Sequence, residues 1–274
     1  GLINLQVKPK DLLKLLNALD QYAYYTSRNK VTAPTSNASN GIGTYGLGTD
    51  ESAEEMLRIG YSWDLISDKQ IQLLQFVNGK IKAPGGDYQT IVLSGVKYLP
   101  LATLQKLVSL VNQGAAVIFH EGVPKMVPGL SDIENKQKQF DALLAQLQFK
   151  TTSAEGVNNA ASGKGLFWEG KEIKYLLANA DVRSEEYLTD NKLQFIRRKI
   201  NGGEYYFITN DGKETFNGWV FLNTSLQNAI LFDPMQQRSG VAKTRQGDNN
   251  TLDIFLKLAP GESCIVQTST TKFA

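Results

Sequence analysis

TIVLSGVKYLPLATLQKLVSLVNQGAAVIFH, residues 90–120, decides the fold class. Its opening, Thr90-Ile91-Val92-Leu93-Ser94, is a continuous apolar run of strand length, the pattern of a strand buried on both faces of a parallel sheet. Pro100 then suits a first helical turn, Leu101, Leu104, Leu107, Val108 and Val111 recur at helical spacing, and Gly114 supplies the stop. Residues 115–119 form a second apolar run, ending at His120-Glu121-Gly122. Strand, helix and strand in that order imply a right-handed crossover between parallel neighbours.

The flanking chain continues the alternation. Toward the N-terminus, Asn78-Gly79 marks a tight hairpin within residues 76–82. Ser67 with Gln70, and Ser52 with Glu55, have the spacing of capping boxes for two short helices, the first over residues 68–74. Residues 61–63 read as a short strand leading into Asp64, and a leucine stripe predicts a helix over residues 9–25. Residues 31–49, rich in Ser, Thr, Asn and Gly, read as a long flexible loop. Toward the C-terminus, Ser131 and Glu134 predict a capped helix reaching residue 147, residues 165–168 a third core strand, and residues 171–179 a short helix. Residues 1–182 are thus expected to form an α/β three-layer domain. After that point short alternating runs take over, at 193–200, 204–209, 219–222, 229–232, 251–258 and 263–268. Turn chemistry such as Asn201-Gly202-Gly203 and Pro260-Gly261 separates them, so residues 183–274 are expected to form an all-β sandwich.

Composition excludes several function classes. The 274 residues carry 29 basic and 27 acidic side chains, a formal net charge of +2, which offers no clustered basic face for nucleic acid. No apolar stretch approaches the roughly 18 residues needed to span a bilayer, so no membrane partner is expected. The chain opens on Gly1 without a secretory leader pattern and reads as a piece of a longer reading frame, so its compartment is not legible in these residues. Cys264 is the one cysteine and sits in an apolar alternation, where a buried, inert thiol is expected.

Few residues could carry chemistry. Gly41-Ile42-Gly43-Thr44-Tyr45-Gly46 spells a dinucleotide fingerprint, but polar residues precede it where a strand would be needed, so no cofactor is expected. His120 is the one histidine, which with one cysteine rules out the usual zinc spacings, and no metal is expected. Ser94 stands at the C-terminal end of a parallel strand, a favourable place, yet Leu93-Ser94-Gly95 lacks the G-x-S-x-G elbow that exposes a nucleophile. Glycoside hydrolysis needs two carboxyl groups across the scissile bond, and Glu121, with His120 beside it, and Asp64 are the candidates. Trp219 follows the turn at Asn217-Gly218 and is the aromatic best placed to offer an exposed sugar-stacking face.

Spread across both domains is a family resemblance. Tyr61-Ser62-Trp63-Asp64-Leu65-Ile66-Ser67-Asp68 resembles the "Y-D-x-I-(S/N)-x-(D/E)" segment of family 106 glycoside hydrolases, the α-L-rhamnosidases. Tyr88 to Leu93 resembles their "Y-x-x-L-V-L-P", Leu99 to Leu107 their "M-x-x-x-T-L-x-K-L" helix, and Gly114 to Asp132 their "G-A-x-V … P-G-L-x-D" stretch. Phe195-Ile196-Arg197-Arg198 resembles "F-I-H-R", with Arg197 in place of histidine, and Leu231-Phe232-Asp233-Pro234 resembles "L-W-D-P", with Phe232 in place of tryptophan. The resemblance implies a flavodoxin-like, glutamine-amidotransferase-like layer followed by the sandwich. It also implies a catalytic (β/α)₈ barrel upstream in the same polypeptide, its partner, and a secreted or periplasmic setting.

The expected role is therefore a non-catalytic accessory region of a carbohydrate-active enzyme. A carbohydrate-binding module using Trp219, and a small-molecule hydrolase using Ser94 and His120 in the α/β crevice, are the alternatives.

Overall fold

The computed structural model describes residues 2–4, 50–84, 86–129, 131–152, 154–200, 202–247 and 251–271. The helix expected over 9–25, the loop 31–49 and the glycine fingerprint at 41–46 lie outside them. The chain divides into two compact units, one of Gly1–Glu55 with Trp63–Val182, the other of Met56–Ser62 with Arg183–Ala274.

The first unit is built on a seven-stranded sheet. Its strands are β1 (Leu2–Asn4), β2 (Asp64–Ile66), β6 (Thr90–Ser94), β7 (Ala116–His120), β8 (Lys150–Thr151), β9 (Asn158–Ser162) and β10 (Gly165–Gly170), in the order β2-β1-β6-β7-β10-β9-β8. The first five in that order run parallel, while β9 and β8 add an antiparallel edge. That edge escapes sequence reading because residues 158–162, Asn-Asn-Ala-Ala-Ser, carry neither β-branched residues nor apolar alternation. The strand expected at 61–63 begins instead at Asp64, which makes Asp64 the start of β2 rather than its end.

Helices α1 (Asp50–Arg58), α2 (Asp68–Ile71), α3 (Leu101–Gln113) and α4 (Ile133–Leu144) lie between these strands along the chain, and α5 (Ile173–Asn179) follows β10, the last of them. α2 has both bonds of its Ser67–Gln70 capping box, although it stops after one turn. α3 begins after Pro100 and ends at Gly114, whose φ of 124° suits glycine. The other two proposed boxes do not form as expected. Ser52 lies inside α1, and the N-cap of α4 is Asp132, in the left-handed region, with no side-chain capping bond. A separate three-stranded sheet of β3 (Gln75–Val77), β4 (Lys80–Ala83) and β5 (Gly86–Tyr88) contains the hairpin at Asn78-Gly79, where φ is 52° and 73°. Positive φ at both central residues is the type I′ arrangement that matches strand twist. The core gathers Ile91 and Leu93 from β6, Val117 and Phe119 from β7, Phe167 from β10, Leu104, Leu107, Leu110 and Val111 from α3, and Phe140 from α4.

The second unit consists of two antiparallel sheets packed face to face, with a short helix, α6 (Glu186–Asp190). The larger has the order β11-β12-β18-β14-β15, made of Leu193–Ile200, Gly203–Asn210, Ser263–Ser269, Asn228–Asp233 and Arg238–Val241. The smaller has the order β13-β17-β16, made of Phe216–Leu222, Leu252–Leu258 and Thr244–Gln246. Alternation puts Tyr206, Ile208, Val266 and Ala229 inward from the first, and Val220, Leu222, Ile254 and Leu256 inward from the second, into one shared core. β15 and β16 are not visible in the sequence because Arg238–Val241 is exposed along its length and Thr244–Gln246 is polar.

Candidate functional site

Strand register creates the most chemically suggestive cluster. Ser94, His120 and Gly170 are direct partners at the C-terminal ends of β6, β7 and β10. Neighbouring strands lie about 4.8 Å apart, so the Ser94 and His120 side chains meet. Ser94 Oγ is 2.7 Å from His120 Nδ1, and His120 Nε2 is 2.7 Å from the carbonyl oxygen of Lys171, the residue after β10. A carbonyl only accepts, so Nε2 carries a hydrogen, and in the neutral ring Nδ1 accepts the Ser94 hydroxyl. Ser52 of α1 closes the chain from the other side, its Oγ 2.7 Å from Ser94 Oγ. All three side chains are buried, at 6% exposure for Ser52 and Ser94 and 5% for His120. The spacing of Ser52 and Glu55 suggests only a helix cap; the fold carries Ser52 to Ser94.

A nucleophilic serine needs more than a base. It needs N–H groups aimed where an oxyanion would form, commonly including that of the residue after the nucleophile. Here the Gly95 N–H donates to the His120 carbonyl at 3.0 Å, and the Glu121 N–H donates to the Gly170 carbonyl at 2.9 Å. Both donors at the strand ends are spent on holding the sheet together.

The two carboxylate candidates are not brought together. The register runs Asp64–Leu2–Ile91–Val117 across four parallel strands. Asp64 is therefore three strands from β7, about 14 Å, and Glu121 lies four residues further along, about 13 Å, a separation near 19 Å. General acid and base in glycosidases stand roughly 5–10 Å apart. Asp64 accepts a 2.6 Å bond from the Tyr88 hydroxyl, and Glu121 is exposed with φ at 64°.

In the second unit, Trp219 is half-buried on the outer face of β13-β17-β16. Its ring meets Phe255 edge-on at 5.6 Å, the Arg245 guanidinium carbon stands 4.3 Å from its centroid, and Lys243 Nζ is 5.5 Å from it. One approach to the ring is thus taken by a cation of the chain itself. Elsewhere in the unit a groove of about 730 Å³ opens beside the β14–β15 hairpin, with Leu231, Leu256 and Leu258 among its lining and the Asp233–Arg238 ion pair beside them.

Sequence reasoning missed Glu185. Its carboxylate, fully buried, accepts from Arg197 at 2.8 Å, from the Asn223 N–H at 2.9 Å and from the Tyr206 hydroxyl at 3.3 Å. Burial pushes its pKa up, with Arg197 opposing. The available signal was Arg197, an inward position on an alternating strand. Among the described residues, no three His, Cys, Asp or Glu side chains converge as metal ligands, and no helix is long and apolar enough to cross a membrane.

Comparison with known proteins adds the lineage. A curated relative from Formosa agariphila, named "Putative beta-glucuronidase", is 31% identical over 167 residues, covering 59% of this chain and 13% of its own. The solved rhamnosidase from Novosphingobium sp. PP1Y superposes with a TM-score of 0.64 at 25% identity, covering 80% of this chain and 20% of that one. The chain therefore spans a small fraction of the length of both. The family profile described as alpha-L-rhamnosidase, that of glycoside hydrolase family 106, matches residues 46–237, well over half of the sequence, and the chain belongs to that family.

Proposed function

We propose that this chain is a non-catalytic accessory region of a carbohydrate-degrading enzyme of the α-L-rhamnosidase type, supporting a catalytic barrel elsewhere in the same polypeptide. One observation carries the reading: the two candidate carboxylates stand three strands apart, Asp64 on the edge strand β2 and Glu121 after the interior strand β7, too far apart to act on one glycosidic bond. The parallel order β2-β1-β6-β7-β10 follows the doubly wound 2-1-3-4-5 pattern. That order supports a flavodoxin-like layer and, more finely, the glutamine-amidotransferase-like layer of the family resemblance. The substrate class proposed for the whole enzyme is an α-L-rhamnoside, and its proposed setting is secreted or periplasmic. The test is a panel of aryl glycosides, α-L-rhamnoside and β-D-glucuronide included, offered to the 274-residue chain. No turnover is expected; turnover that Glu121→Gln abolishes would refute the accessory role.

A second reading rests on the 2.7 Å Ser94–His120 bond: a hydrolase of small molecules at the sheet's C-terminal edge. The spent N–H groups of Gly95 and Glu121 weigh against it. A fluorophosphonate probe should leave Ser94 unlabelled, and adduct on that residue would favour the hydrolase.

A further inference from the structure

The outer face of β13-β17-β16 is arranged as a grid. Trp219 pairs with Phe255, and the Phe255 N–H donates to the Lys243 carbonyl at 3.0 Å, so Trp219, Phe255 and Lys243 form one cross-strand row. The next row is Phe221, Asp253 and Arg245. On the other side of the first row, Asn217 pairs with Lys257. Asp253 is the one acid among these positions; it is 3% exposed and is matched by Arg245, whose Nε donates to it at 2.9 Å. Lys243 is exposed, its Nζ 5.5 Å from the Trp219 centroid and 5.4 Å from that of Phe255. Neither Lys243 nor exposed Lys257 has a carboxylate partner among the described residues.

A cation lying over aromatic rings is favourable yet leaves its charge uncompensated, and such a site gains most from a ligand carrying an anion on an apolar framework. A uronic acid has that chemistry: a carboxylate on a pyranose whose C–H groups pack on aromatic surface. We infer that this face binds a uronic-acid-containing saccharide, with Lys243 meeting the carboxylate and the half-buried Trp219 and Phe255 rings meeting the sugar's C–H face. The inference rests on the carbohydrate reading of the chain and names a ligand class for Trp219. Charge complementarity decides the occupant, because a neutral glycan would leave Lys243 and Lys257 unmatched.

Calorimetry of the 274-residue chain with trigalacturonate, its methyl ester and a sulfated, uronate-free trisaccharide tests it. Trigalacturonate should bind. Esterification or Lys243→Ala should each weaken binding roughly tenfold or more, the effect of removing one charge-assisted hydrogen bond, while Lys243→Arg should retain most of it. Absence of binding to trigalacturonate, equal binding of the ester, tighter binding of the sulfated sugar, or a Lys243→Ala variant with wild-type affinity would each overturn the inference. The ester comparison uses unaltered protein, so a folding defect in a variant cannot decide the result. Failure here leaves the accessory role standing, since that role falls only on aryl-glycoside turnover.

Discussion

Glu185 is 1% exposed and holds three hydrogen bonds within the second unit. Removing one member of a buried ion pair leaves the other without compensation, so Glu185→Ala should cost about 3–5 kcal/mol, read from urea unfolding. Its pKa is raised from the ordinary 4.5, chiefly by burial and against the pull of Arg197. A carboxyl raised in the folded state stabilises the fold fully below its unfolded pKa and loses that contribution as pH rises through the folded value. Relative to Glu185→Gln, which cannot titrate, the wild-type urea midpoint should fall as pH climbs above 4.5. A pH-independent difference would contradict the raised pKa. Cys264 is 7% exposed, and burial together with the Asp233 charge pushes its thiol up to about 12. At pH 8 only roughly 10⁻⁴ of it is thiolate, so a disulfide reagent should modify it far faster in urea than in the native state.

At the scale of elements, β10 packs closely on the end of α3. A Cβ on Gly165 would stand 2.2 Å from the Ala115 oxygen and 2.4 Å from that of Val111, both backbone atoms. Gly165→Ala must therefore push β10 away from its neighbours and should cost about 3 kcal/mol. Gly79, in the type I′ turn, meets nothing within 4 Å, so Gly79→Asn should lower the urea midpoint far less. Elements of this kind were legible in sequence wherever local chemistry sufficed: the Thr90–Ser94 run, the Pro100 to Gly114 bounds of α3, the Ser67–Gln70 box and the Asn78-Gly79 turn. The misses share a cause. β9, β15 and β16 are polar or exposed edge segments whose strand character comes from pairing with a neighbour, and Ser52 was diverted from capping by a partner 42 positions away.

For the whole molecule, balanced charge matters more than any single cation. With a net charge of +2 there is no broad positive field to concentrate polyanions. Duplex DNA should consequently show no mobility shift with the chain at 150 mM salt, a condition in which a saccharide recognised through Lys243 and its rings should still bind. A DNA shift at that salt would indicate general polyanion attraction. The sequence alone determined the class of each half, because hydrophobic period is a local property: buried runs separated by an amphipathic helix in one, short alternating runs between turns in the other. It also carried the family likeness, as ordered motifs along the chain. Only the tertiary structure decided what meets what. Register joined Ser94 to His120 and separated Asp64 from Glu121, and cross-strand pairing set Lys243 beside Trp219 and Phe255. Strand order and register depend on contacts between distant residues, and no local pattern encodes them.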